Sequence, residues 1–236
     1  MKKLSKILLL SVLSIFLMAG SAMATSMLDF GIVAPTAGTI SYAGGVAPLV
    51  GTDIDVDSVV GLGTFLNANL SLMLFDATLD FTTGASDGVW SWGGGASSSI
   101  TLIGGVDLNN NLIYDAGDIA PGTALLTGTF GSADVDQKSG VFHIAGAAFK
   151  DLKDDDLLNF YGLPTLMADG VTPMPYVGNF NISFNAPYTI DGAAFTSTMV
   201  MSGDVTNAPV PEPATMLLLG TGLVGMAAFG RKKLFK

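Results

Sequence analysis

Between residues 25 and 209, apolar side chains recur at every second position in short runs. Leu70, Leu72 and Leu74 recur at every second position, and Leu79 and Phe81 continue the pattern after Phe75. Ile100 and Leu102 do the same, Phe142 and Ile144 flank His143, and Phe180, Ile182 and Phe184 alternate with Asn179, Asn181, Ser183 and Asn185. Phe195, Met199 and Met201 are expected on one side of a further strand. A period of two places one set of side chains on a buried face and the other on a solvated face, which predicts half-buried β-strands. Turn-forming residues lie between the runs, at Gly44-Gly45, Gly93-Gly94-Gly95, Ser139-Gly140 and Asn185-Ala186-Pro187. Residues 147–161 alone read as a possible helix, and Asp154-Asp155-Asp156 argues against it. Many short strands joined by Gly-rich turns predict a mostly β fold: a single antiparallel β-sandwich or jelly-roll-like domain.

The two ends break this pattern. Lys2, Lys3 and Lys6 precede an apolar run over residues 7–18, and Ala22 and Ala24 occupy the small-residue positions before a cleavage point. Residues 1–24 therefore read as a secretory signal peptide. At the other end, Pro211 and Pro213 stiffen the chain. Residues 214–230 then form an uncharged apolar run, about 25 Å long as a helix and near the lower limit for crossing a bilayer. Arg231, Lys232 and Lys233 follow at once. Such a cluster stops transfer and stays cytoplasmic, which leaves the domain on the far side of the membrane. The chain thus divides into 1–24, an exported β-rich domain over 25–209, and a tail over 210–236 with a transmembrane helix.

Charge sharpens the picture. Only three of the ten basic residues fall between 25 and 210, against 19 aspartates, so that stretch carries 3 − 19 = −16. A surface of that sign repels nucleic acid and anionic lipid, and no nucleic-acid partner is expected. The chain has no cysteine, which excludes thiol nucleophiles, thiolate metal sites and disulfides.

Three segments carry candidate chemistry. In DLNNNLIYDAGD, oxygen-bearing side chains fall at relative positions 1, 3, 5, 9 and 12: Asp107, Asn109, Asn111, Asp115 and Asp118. That spacing is similar to the calcium loops of EF-hand and dockerin-type proteins, and calcium is the one cofactor expected. Leu112 stands where those loops have glycine, and Asp118 where they have a longer glutamate; the alternative is a polar Asx-rich turn. Trp90 and Trp92 would share a strand face and form either a glycan-stacking platform or part of the core. Asp53, Asp55 and Asp57 would line one solvated face of an edge strand. His143 is the only histidine and has no nucleophile motif beside it, so no catalytic residue is assigned and no enzymatic activity is expected.

The motif Val210, Pro211, Glu212 and Pro213, the apolar run and the basic cluster, in that order, resemble the PEP-CTERM sorting domain of Gram-negative bacteria. The resemblance implies recognition and processing of the tail by an exosortase. It also implies anchoring in the inner membrane before processing, delivery to the cell surface or extracellular matrix, and an association with exopolysaccharide and biofilm. The expected function is therefore that of a structural surface or matrix protein. A carbohydrate-binding module is the alternative, and a polysaccharide hydrolase a distant third.

Overall fold

The computed structural model describes residues 26–138, 141–187 and 190–210. The expected signal segment, the expected turn at Ser139-Gly140, Tyr188-Thr189 and the tail from Pro211 onward lie outside them. Thirteen strands pair, all antiparallel: β1 Met27–Ile32, β2 Thr39–Tyr42, β3 Leu49–Asp55, β4 Ser58–Leu62, β5 Ser71–Thr82, β6 Ser86–Gly88, β7 Ser91–Gly93, β8 Ser99–Val106, β9 Ile119–Lys138, β10 Val141–Lys153, β11 Tyr176–Asn185, β12 Phe195–Thr196 and β13 Met199–Pro209. The mostly β, antiparallel expectation holds. The path runs β5-β4-β1-β13-β11-β10-β9, and β8 pairs with both β9 and β5. Eight strands therefore form a closed ring. Two arms leave it: β3-β2-β12 from β5, and β7-β6 from β9.

Apart from Leu70, which is exposed just ahead of β5, the alternation read from the sequence becomes the inside of this ring. Leu72, Leu74, Leu79, Phe81, Ile100, Leu102, Phe142, Ile144, Phe180, Ile182 and Phe184 are all buried. Within β5 the buried parity switches from even positions (Leu72, Leu74) to odd ones (Ala77, Leu79, Phe81). The cause is a bulge: pairing shifts between Phe75 and Thr78, and Asp76 between them has φ 45°. β3 makes the matching switch through Asp53 at φ 50°, between Gly51 and Ile54. Asp53, Asp55 and Asp57 are exposed around buried Ile54 and Val56, as expected. However, β3 lies between β2 and β5, so Asp53 and Asp55 are not on an edge strand, and Asp57 lies in the connection from β3 to β4. The strands that end the path, β12 and β6, have two and three residues, which leaves little edge for another chain to pair with.

Two aromatic groups fill the interior. Phe81, Phe130 and Phe180 meet with ring centroids 5.1 to 5.8 Å apart. Phe142 packs on Phe184 at 5.3 Å and on Phe195 at 5.2 Å, with Trp90 and Tyr42 beside them. Phe195 belongs to β12, whereas Met199 is exposed on β13 and Val200 points inward. The expected one-sided Phe195–Met199–Met201 face is thus corrected by a break between two strands.

The helix expected within 147–161 is shorter: β10 occupies the first part, and α1 spans Asp155–Tyr161. The acidic triplet that argued against a helix starts it. Asp154 is the N-cap, its carboxylate accepting from the Leu157 amide at 3.0 Å, and Asp155 and Asp156 sit against the positive end of the helix dipole. Gly162, at φ 67°, ends the helix in the left-handed region. The Tyr161 hydroxyl donates within reach of the Val59 and Leu70 carbonyls, at 3.1 and 2.9 Å, so α1 is pinned to the β4–β5 connection. Gly61 leaves room for that ring: a Cβ there would lie 2.3 Å from Tyr161 Cδ1.

One surface group strains the ladder. Asp29 on β1 is half-buried, its Oδ1 has no hydrogen-bond partner, and Asp204 lies nearby on β13. Burial, and then the Asp204 charge, push its pKa up. The folded state binds this proton more tightly than the unfolded chain, so the group's contribution to stability falls as pH rises from the ordinary Asp range through the raised value. Asp29→Asn should therefore melt higher than the wild type at neutral pH, and the difference should close below about pH 3, where both states are protonated. Thermal melts across that range check it; an equal gain at both ends would show that charge is not the cause.

Candidate functional site

The 107–118 loop joins β8 to β9, two strands of the ring. Asp107 is fully buried. Its Oδ1 accepts from the Asn111 amide at 3.1 Å and its Oδ2 from the Leu112 amide at 2.6 Å. Asn109 Oδ1 accepts from Asn111 N at 3.0 Å, and Asn111 Oδ1 from Ile113 N at 2.8 Å. Leu112 takes the left-handed backbone, φ 66°, that glycine would adopt more cheaply. Asp118 closes the loop by accepting from Leu108 N and Asp115 N, each at 2.9 Å.

All five predicted residues are therefore brought into one loop, and each accepts a hydrogen bond within it. An asparagine has one side-chain oxygen, and in Asn109 and Asn111 that oxygen is taken by a backbone amide. Their nitrogens donate to Asp115, at 2.9 and 2.7 Å, one to each oxygen of its carboxylate. Among the described residues, no three Asp, Glu or His side chains converge as a metal site.

Trp90 and Trp92 are 3% and 0% exposed. Trp90 sits in the turn before β7 at φ 50°, so the rule that residues two apart share a strand face does not apply to the pair. The Trp90 indole donates to the Ala193 carbonyl and that of Trp92 to the Ala47 carbonyl, both at 3.0 Å. Trp92 also meets Tyr42 edge-on at 5.0 Å, locking the two arms together. The glycan-platform expectation is corrected: stacking on sugar needs an accessible ring face, and both rings are spent on the core. His143 lies on the outward side of β10, half-buried, with Nδ1 2.8 Å from Ser183 Oγ on β11.

Sequence reasoning missed a polar cluster inside the ring. Asp151 and Lys153 on β10 form an ion pair with both side chains fully buried. Asn207 on β13, also buried, donates from Nδ2 to Asp151 Oδ1 at 3.1 Å, while its own Oδ1 has no partner. The Lys153 ammonium lies 5.8 Å from the Phe30 ring centroid and 5.5 Å from that of Tyr176. Burial lowers the Lys153 pKa to about 8 against the pull of Asp151, and burial raises that of Asp151. The signal was present in FKDLK: Asp151 and Lys153 share the parity of buried Phe149, and exposed Leu152 has the other. Gly178 makes room, because a Cβ there would meet Asn207 Nδ2 at 2.1 Å.

This cluster lies next to the exit of the tail. Pro209 pairs with Tyr176, and Val210 N donates to the Pro175 carbonyl at 3.0 Å. The family model of the PEP-CTERM protein-sorting motif matches residues 209–233, starting on the last residue of β13, so the chain carries that sorting motif. No curated protein and no solved structure matches the chain. Among the described residues, no helix is long and apolar enough to cross a membrane; the 214–230 run lies outside them.

The burial of the tryptophans has a measurable consequence. Trp92→Ala should cost about 3–5 kcal/mol in denaturant unfolding, the range for emptying a core aromatic site. Tryptophan fluorescence of the folded wild type should stay unchanged on adding soluble matrix polysaccharide. A stable Trp92→Ala protein that loses polysaccharide retention would restore the platform.

Proposed function

We propose that this carrier of a PEP-CTERM sorting motif is a structural, non-enzymatic component of the bacterial surface or extracellular matrix, held among exopolysaccharide in a biofilm. The observation that carries the reading is the continuity of domain and signal. The motif begins on the last residue of β13, so whatever is done to the tail places the whole β domain. An exosortase is the processing partner that the motif implies, and export with surface sorting is the route. Inner-membrane anchoring through residues 214–230 before processing is part of the proposal.

Several features support a non-enzymatic role. His143 is the only histidine and bonds to Ser183 on an outward sheet face. The only glutamate, Glu212, belongs to the motif. With Trp90 and Trp92 in the core, the carbohydrate-binding alternative has no aromatic platform from these residues, and the hydrolase reading has no local sequence motif in its favour.

Calcium is proposed as a ligand of the 107–118 loop. Each carboxylate oxygen of Asp107, Asp115 and Asp118 accepts one hydrogen bond and keeps a second lone pair. Extracellular calcium modules work at about 10⁻⁴ to 10⁻³ M. Calcium would have to displace the Asn109 and Asn111 amide nitrogens from Asp115. At ten times the dissociation constant it should stabilise the folded chain by about 1.4 kcal/mol, raising the melting temperature, and Asp115→Ala should abolish the rise. A wild type unmoved by millimolar calcium would leave the loop closed on its own hydrogen bonds.

The sorting part of the proposal is tested on cells. Replacing Pro211, Glu212 and Pro213 by alanine leaves residues 214–230 intact, so that variant should accumulate unprocessed in the inner membrane. The wild type should lose its tail and fractionate with matrix polysaccharide. Mass spectrometry of the mature C-terminus reads the first outcome. A wild-type chain that still ends at Lys236 in cells with an active exosortase would reduce the tail to a simple anchor.

A further inference from the structure

We propose that Lys153 and Asn207 join through an intramolecular isopeptide bond, with Asp151 as the acid–base group between them. Three observations place the reactants. Asp151 holds the Lys153 amine on Oδ2 and the Asn207 amide on Oδ1, so nucleophile and electrophile flank one carboxyl group. Both side chains of the ion pair are fully buried, and Asn207 is buried beside them, so water is excluded. Asp151 is the only hydrogen-bond partner of the amine among the described residues, and the rest of its surroundings include the Phe30 and Tyr176 rings.

Burial penalises the charged form of each group. Taking two charges out of water costs several kcal/mol per ion, so transfer of the Lys153 proton to Asp151 relieves both groups. The directions of the two pKa shifts, Lys153 down and Asp151 up, agree with that transfer. A neutral, desolvated lysine amine is a nucleophile. The protonated Asp151 also answers the orphaned oxygen of Asn207. Turning the amide over brings Oδ1 to the place now held by Nδ2, 3.1 Å from the carboxyl group, where the acid O–H can donate to it and polarise Cγ.

The steps balance without a co-reactant. The Nζ lone pair attacks Cγ, and the carbonyl electrons move onto Oδ1, supported by Asp151. Asp151 then relays one proton from Nζ to Nδ2. The carbonyl re-forms, the Cγ–Nδ2 bond breaks, and ammonia leaves. One C–N bond has formed and one has broken, nothing is oxidised or reduced, and Asp151 ends as the neutral acid.

The bond would suit this chain. There is no cysteine, so a disulfide is not open to it. β10 and β13 are not neighbours, since β11 lies between them, and a Lys153–Asn207 link would clamp three strands. Asn207 is also three residues before Val210, on the strand that carries the sorting tail. The bond's chemistry does not depend on the sorting reading; only its usefulness as a clamp against a pull on the tail does.

The test is a peptide map of the chain purified as the cells export it, denatured and cut before aspartate. The expected product is the 151–153 tripeptide joined to the fragment that begins at Asp204, lighter than their sum by one ammonia. Lys153→Arg keeps the positive charge beside Asp151 but removes the amine; it should give the two fragments separately and a lower melting temperature. Separate fragments at full mass from the folded wild type would overturn the proposal and leave an ordinary buried ion pair. A tripeptide lighter by one water, with Asn207 unmodified, would overturn it in favour of a Lys153–Asp151 amide.

Discussion

β8 pairs on both sides, and the rest of the structure follows from that closure. With β5 on one edge and β9 on the other, it turns a long antiparallel path into a ring of eight strands. A ring has an inside whose width is set by strand number, and at eight strands side chains just fill it. That explains the interior, where phenylalanines from β5, β9, β10 and β11 meet across the space rather than stacking along one face. It also explains the bulges. A long strand that curves around a ring and then serves an arm must change which parity points inward, and β5 and β3 do so together at Asp76 and Asp53. Aspartate tolerates the left-handed backbone better than most residues, which is why both positions can carry it.

The same closure tolerates one polar region inside. Asp151, Lys153 and Asn207 lie where β10, β11 and β13 run toward the chain's exit. A buried ion pair gains little net stability over well-packed apolar residues, because desolvation offsets the Coulomb attraction. Three polar side chains kept where leucines would pack therefore call for a reason other than stability from the pair itself. An unsatisfied Asn207 oxygen adds to the cost rather than repaying it.

Much of this was legible in the sequence, because burial follows parity wherever a strand is regular. The positions from Leu72 to Phe184 that alternate in the sequence are the positions that fill the ring. Legibility failed where the backbone left the regular strand. Trp90 and Trp92 are two apart, but a left-handed turn residue breaks the geometry that would place them side by side. The acidic triplet reads as a poor helix interior and is a good helix start, a distinction that rests on knowing where the first turn lies. In the 107–118 loop, spacing identified the five residues that cooperate, yet an amide and a carboxylate count alike in such a pattern. Only the geometry shows that each amide spends its one oxygen on the backbone. Closure itself has no local signature: nothing in SITLIGGV distinguishes a strand paired on two sides from one at an edge.

The charge and the tail pose a joint problem that the fold solves by position. A stretch carrying −16 repels itself and gains solubility, while its continuation past Val210 is apolar and ends in cations. A slack junction would let an apolar continuation reach back to the domain. Instead β13 is hydrogen-bonded on both sides, by β1 and β11, almost to its end. Val210 is then tied to Pro175, and Pro211 and Pro213 follow at once. The last strand thus fixes the direction of the chain as far as Val210, where the described residues end. Any pull on the tail reaches the domain first through the hydrogen bonds of β13, a strand whose inward face holds Asn207 against Asp151.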